Sequence, residues 1–207
     1  MSIEQEPNQP TPTNFEQQTR TAGPEGEPLR PRIWVASAAE LEQGAISGAW
    51  VEADQRPDQL GAAISGITGR PPEQPGTWEI LDTQDFAGLA LRGQSTPDVI
   101  SRLARGVIRG GPAFAAWARR TGADPEALDR FDDAYMGRFI NAEHFVEQVL
   151  EGIGIRDILR QAIPPRLQAH LYVNLPGIAA MMISDGVLAV EACPDQGVFV
   201  FGLRGEQ

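Results

Sequence analysis

The chemistry concentrated in this chain is carboxylate chemistry. Glu126, Asp129, Asp132 and Asp133 stand within one short stretch of a run that reads DPEALDRFDDAYMGRFINAEHF from Asp124 to Phe145. Asp124 has the features of a helix N-cap, Pro125 suits the first helical position and Gly137 suits a stop. At 100° per residue, Ala127, Leu128, Phe131, Ala134 and Tyr135 then share one side and the four acids the other. On a helix rising about 1.5 Å per residue, these acids supply roughly one negative charge per 2.6 Å, against about one per 1.7 Å for duplex DNA. Such a face approaches a phosphate backbone in charge density. The plainer reading of the same pattern is a solvated helix face.

Other reactive residue types do not converge in the sequence. Glu52, Asp54 and Asp58 have the chemistry of a magnesium site, yet no Gly-rich phosphate loop accompanies them, and they read as a solvated acidic loop. His144 and His170 are the two histidines, without partners at metal-ligand spacing, and Cys193 stands alone in a predicted turn. No GxSxG elbow marks a nucleophile. All 17 basic residues are arginine, so lysine-dependent chemistry is excluded: Walker-type phosphate binding, Schiff bases and lysine-dependent nuclease sites. No enzyme activity, metal or cofactor is expected.

Arginine is itself patterned. Val99, Ile100, Leu103, Ala104, Val107 and Ile108 cover one half of a helix that starts at Thr96-Pro97-Asp98, and Arg102, Arg105 and Arg109 stand in a row opposite. That row can hold an anion, pair with an acidic partner surface, or be solvated. Along the chain the charge runs acidic over residues 40–85, basic over 86–123 and acidic again over 124–157.

The elements that must position these groups alternate irregularly, which predicts an α+β fold. Residues 1–31, rich in Pro and Gln, read as a disordered tail. Residues 32–92 form a first unit. It holds strands at Arg32–Ala36, Ile46–Ala53 and Trp78–Asp82, a brief helix with a Ser37–Glu40 capping box ending at Gly44, and a helix from Pro57 carrying Leu60, Ile64 and Ile67. Residues 93–130 form a helical middle, in which Pro112 to Thr121 continues as a helix burying Phe114 and Trp117. Residues 131–207 form a C-terminal unit with helices from Asn141, Ile155 and Asn174, and a hairpin of Val187–Ala192 and Val198–Leu203. The chain has no apolar run long enough to span a membrane and no secretory signal pattern, so a soluble cytoplasmic protein is expected. A net charge of −11 sets the whole against nucleic acid and anionic lipid.

Five stretches carry a likeness: IWVAS (Ile33 to Ser37), GAWVEADQRPDQL (Gly48 to Leu60), WEILD with Phe86, FAAWA (Phe114 to Ala118), and FDDAYMG with its following helix. In these, from about Arg32 to Phe201, the chain resembles the ArdA antirestriction proteins. The resemblance implies an elongated protein of three small domains, encoded on mobile elements and forming a homodimer through its C-terminal part. Its carboxylates would imitate bent B-form DNA and block the DNA-binding cleft of type I restriction-modification enzymes, with no direct binding of nucleic acid or membrane. Matching positions for that surface are Glu52, Asp54, Asp58, Glu79, Asp82 and Asp85, and then Asp129, Asp132, Asp133, Glu143 and Glu147.

Two features depart from the family pattern. Arg138 stands where relatives tend to carry glutamate, and the helix at Asn174 has Ala180, Met181 and Met182 where they tend to be charged. The alternative reading follows from them: a divergent ArdA-like interaction module with weak or no mimicry, using Arg102, Arg105, Arg109 and the Met-rich helix to bind a partner.

Overall fold

The computed structural model describes residues 29–74, 76–91, 95–168 and 170–203. The expected tail lies outside these except for Leu29 to Pro31, which join the fold. Leu29 packs on the core, Pro31 is buried, and the Ala53 amide donates to the Pro31 carbonyl at 2.8 Å.

The order of elements is α+β. First come β1 (Arg32–Ser37), α1 (Ala38–Glu42), β2 (Gly48–Glu52), α2 (Pro57–Thr68) and β3 (Trp78–Gln84). The strands form an antiparallel sheet in the order β2-β1-β3. Period-2 alternation turns Ile33, Val35 and Val51 inward, where they meet Leu60 and Ile64 of α2. Ser37 does not form the capping box. Its side chain caps nothing, and the Glu40 carboxylate instead accepts from the Ser47 hydroxyl across the following turn. A single reciprocal hydrogen bond is easily outcompeted by such a local alternative.

Next is α3 (Pro97–Arg120), opened by Thr96, whose hydroxyl accepts from the Val99 amide, and broken in its middle at Gly111. Gly111 has φ 53° and ψ −141°, a conformation open to glycine, and Pro112 then restarts the helix. The first half buries Ile100, Leu103, Ala104 and Val107, and the second half buries Phe114 and Trp117. Ile108 does not join them. It lies at the edge of the apolar stripe and is exposed.

The stretch from Asp124 departs most from expectation. Rather than one helix reaching Gly137, it folds as α4 (Pro125–Asp129), α5 (Phe131–Ala134) and β4 (Tyr135–Phe139). The Asp124 cap forms, with its carboxylate accepting from the Ala127 amide at 2.8 Å. The Ala127 carbonyl, however, accepts from the buried indole N–H of Trp117, and β4 pairs antiparallel with β6 (Val198–Gly202). Gly137, at φ 125°, lies inside a strand at a register shift and stops no helix. Long-range pairing of a Tyr-Met-Gly-Arg-Phe segment, β-prone at its aromatic ends, outweighs local helix propensity.

The rest is α6 (Ala142–Gly152), α7 (Ile155–Ala162), α8 (Pro165–Gln168), α9 (Leu175–Ser184), β5 (Leu188–Ala192) and β6. Asn141 and Asn174 cap α6 and α9, accepting from the His144 and Gly177 amides. The expected hairpin is present, but β4 makes it a three-stranded sheet in the order β4-β6-β5. Alternation along β6 divides the interior. Phe199 and Phe201 join the core around α3, with the Trp117 and Phe201 rings 5.1 Å apart, while Val200 packs with Phe139, Phe145 and Val146 on the other side.

Tyr135 is half-buried in this arrangement. Burial first, and then the charge of Cys193, hold its phenol above the ordinary value, against a weaker opposing pull from Arg138. A phenol raised on folding contributes stability below the unfolded pKa of about 10 and loses it as pH climbs through the folded value. Tyr135 and Tyr172 are the two tyrosines. Ultraviolet titration of Tyr172→Phe isolates the Tyr135 phenol, with an expected midpoint above about 10. A midpoint at or below that value would contradict the packing of β4.

Candidate acidic interaction surface

The predicted acids fall into two groups set on opposite sides of α3 in sequence. Glu52 ends β2, Glu79 and Asp82 lie on β3, and Asp85 follows it with φ 61°, accepting from the Arg30 amide at 3.3 Å. Asp54 and Asp58 flank the turn into α2. That turn is held from below: Ser101, fully buried on α3, donates its hydroxyl to the Gln55 carbonyl. Ser101→Ala leaves this carbonyl without its partner, with an expected loss of about 1–2 kcal/mol in stability measured by denaturant unfolding. All six acids of this group are exposed.

In the second group Asp129 ends α4, Asp132 and Asp133 occupy α5, and Glu143 and Glu147 lie one turn apart on α6. Asp129, Asp132 and Asp133 are exposed, whereas Glu143 and Glu147 are half-buried. Glu143 sits in the first turn of α6, where the N-terminal end of the helix favours an anion.

The arginine row meets this second group directly. Arg102 donates through Nε to Asp98 at 2.9 Å and through Nη1 to both Asp129 oxygens at 2.9 and 3.1 Å. Its guanidinium is held above the ordinary arginine value by the hydrogen bond to Asp98 first, then by that to Asp129. Arg109 pairs with Asp132 at 3.4 Å. Arg105 donates to the Ser101 carbonyl at 3.3 Å and makes no ion pair among the described residues. Two of the three arginines thus face acids of their own chain. Spacing along α3 signalled the row and the i,i+4 pair of Arg102 with Asp98, but nothing near it in sequence signalled Asp129 and Asp132, which come from a segment more than twenty residues on.

Of the eleven candidate acids, Asp129 and Asp132 are paired in this way and Asp58 pairs with Arg56 at 3.1 Å. The other eight make no ion pair among the described residues. Glu52, Asp54 and Asp58 do not converge: no group of three or more His, Cys, Asp or Glu among the described residues is placed to hold a metal ion. An open groove of about 590 Å³ lies between α2 and residues 69–73, lined by Asp58, Arg70 and Glu73 among prolines and glycines. No helix among the described residues is long and apolar enough to cross a membrane.

One feature had no counterpart in the sequence reading. The face of the first sheet turned away from the core carries Trp34 opposite Trp50, with Arg32 beside them. The period-2 geometry of a strand, which puts Arg32 and Trp34 on one face of β1 and Trp50 and Glu52 on one face of β2, was the available signal.

The family model described as antirestriction protein (ArdA) matches residues 33–192, which contain every one of these acids. The chain belongs to the ArdA antirestriction family. No curated protein and no solved structure matches it. ArdA membership assigns the chain an antirestriction function and a restriction-modification enzyme as its partner. The match runs through β5, so it covers the first sheet, α3, both acidic groups, and β4 and β5 of the second sheet, and stops short of β6.

Proposed function

We propose that this ArdA protein inhibits a type I restriction-modification enzyme by presenting carboxylates in place of DNA phosphates within the enzyme's DNA-binding cleft. The observation that carries the reading is the eight candidate acids without ion-pair partners among the described residues, drawn from the segments before and after α3. An arginine- and lysine-lined cleft built for a polyanion would accept such a track and release its own counterions. The protein acts as a stoichiometric inhibitor rather than an enzyme, in the cytoplasm where restriction occurs, and does not itself bind DNA. It works as a homodimer joined through the C-terminal part, a reading supported by exposed Ile153, Ile158, Leu171, Tyr172 and Met181 on and around α7–α9.

Titration into a type I enzyme with its labelled, unmodified DNA site tests this reading. Displacement and loss of cleavage near stoichiometric protein, weakening as salt rises, is the expected result. No effect at large excess would overturn it.

The interaction-module alternative draws on exposed Met181 and the arginine row. Arg102 and Arg109 are already occupied by Asp129 and Asp132, which favours mimicry. A gel-shift assay at low salt separates the two readings, since a mimic leaves DNA unshifted. If Arg102 and Arg109 mask part of the acidic track, Arg102→Ala with Arg109→Ala strengthens inhibition severalfold. The melting temperature should move by a few degrees at most, because solvent-screened ion pairs contribute little to stability. Weaker inhibition by a folded double variant would exclude Asp129 and Asp132 from the contact.

A further inference from the structure

We infer that the outer face of the first sheet docks an arginine-bearing protein surface, with the Trp50 indole stacking one partner guanidinium inside a frame of carboxylates. The inference rests on the mimicry reading only for the partner's identity, the DNA cleft of a restriction enzyme.

The face is built from register. Trp34 on β1 lies directly opposite Trp50 on β2 and Asp82 on β3, and Arg32 lies opposite Glu52 and Gln84. Ile33, Val35 and Val51 point to the core, so these residues point outward together. The two indoles meet edge to face, 5.5 Å between centroids and 80° apart, with Trp50 exposed. Gly48 makes room for this: a Cβ there would collide with the Trp34 ring nitrogen and the Val35 carbonyl. Glu52, Glu79 and Asp82 are exposed around the pair.

Two observations indicate what the face takes. Arg32 already places its guanidinium carbon 5.5 Å from the Trp50 ring centroid, within the range of a cation–π contact. The ring is therefore presented so as to accept a planar cation, and Arg32 occupies it in the free protein. The surrounding carboxylates then select a basic partner and provide acceptors for its guanidinium N–H groups. An exposed indole flanked by charged residues is also the residue type that anchors protein interfaces. A polyanion-binding cleft, lined with arginine, supplies the complementary surface.

The test measures binding of fluorescein-labelled oligo-arginine and oligo-lysine peptides of equal length to the full chain, by anisotropy. Wild type is expected to prefer the arginine peptide by about threefold to tenfold, the span of one partly exposed cation–π contact. Trp50→Ala should abolish that preference with its thermal melt retained, and Trp50→Phe should keep part of it. Arg32→Met should tighten arginine-peptide binding more in the wild-type background than beside Trp50→Ala, where only the loss of a like charge acts. Equal affinity for the two peptides, a preference that survives Trp50→Ala, or equal tightening by Arg32→Met in both backgrounds would overturn the inference. The same variants in the restriction-enzyme titration separate the two claims. Undiminished inhibition by Trp50→Ala would remove this face from the enzyme contact and leave mimicry intact. An arginine preference in a protein that fails to inhibit would remove mimicry and leave the docking face.

Discussion

Charge reversal at Asp133, Glu143 and Glu147 together is expected to abolish inhibition while leaving the protein folded. These three belong to the second acidic group, and none makes an ion pair among the described residues. Asp129 and Asp132 are poor targets for the same experiment. An arginine or lysine at either position would face Arg102 or Arg109 and combine loss of function with repulsion inside the fold. For a polyanion seated in a basic cleft, each reversed charge costs about 1 kcal/mol or more, so three together weaken inhibition on the order of a hundredfold. The measurement is the inhibitor concentration that halves cleavage, read beside a circular-dichroism melt. Unchanged inhibition by a folded triple variant would remove this group from the contact surface.

The largest effect on stability is expected from Phe131→Ala. Phe131 is buried between the C-terminal half of α3 and the second sheet. Its ring meets Phe114 edge to face at 5.2 Å, stacks on Tyr135 at 5.3 Å and lies 6.4 Å from Phe201. Even Gly110 is shaped to it, since a Cβ there would fall 2.8 Å from the ring. Truncation opens a cavity whose walls belong to separate elements and cannot easily close, and the expected loss is about 3–5 kcal/mol. A domain of this kind is stable by about 5–15 kcal/mol in all, so denaturant unfolding should show a large drop. Because Phe131 also carries Asp132 and Asp133 into position, inhibition should fall with stability, whereas Phe131→Leu should recover much of both. A loss below about 1 kcal/mol would mean that the aromatic cluster is not the joint between α3 and the second sheet.

The sequence by itself determined whatever depends on a few neighbouring residues. Thr96-Pro97, Asp124-Pro125, Asn141 and Asn174 start helices where they stand, because a cap is a contact between a side chain and an amide three residues on. Apolar spacing identified the buried faces of α2, α6 and α9, and alternation identified the strands of the first sheet and the C-terminal hairpin. Five short stretches identified the family.

Only the tertiary structure decided what depends on residues far apart. Tyr135 to Phe139 became a strand because β6, some sixty residues later, offers its backbone a ladder of hydrogen bonds and its aromatic side chains a core to enter. Arg102 and Arg109 of α3 turned toward Asp129 and Asp132 because the break at Arg130 lays α4 and α5 beside that helix. Trp34, Trp50 and Arg32 became one surface because strand register, rather than proximity in sequence, sets them face to face. Charge and local pattern are written residue by residue, whereas the pairing that leaves one carboxylate free and neutralises another is a property of the folded chain.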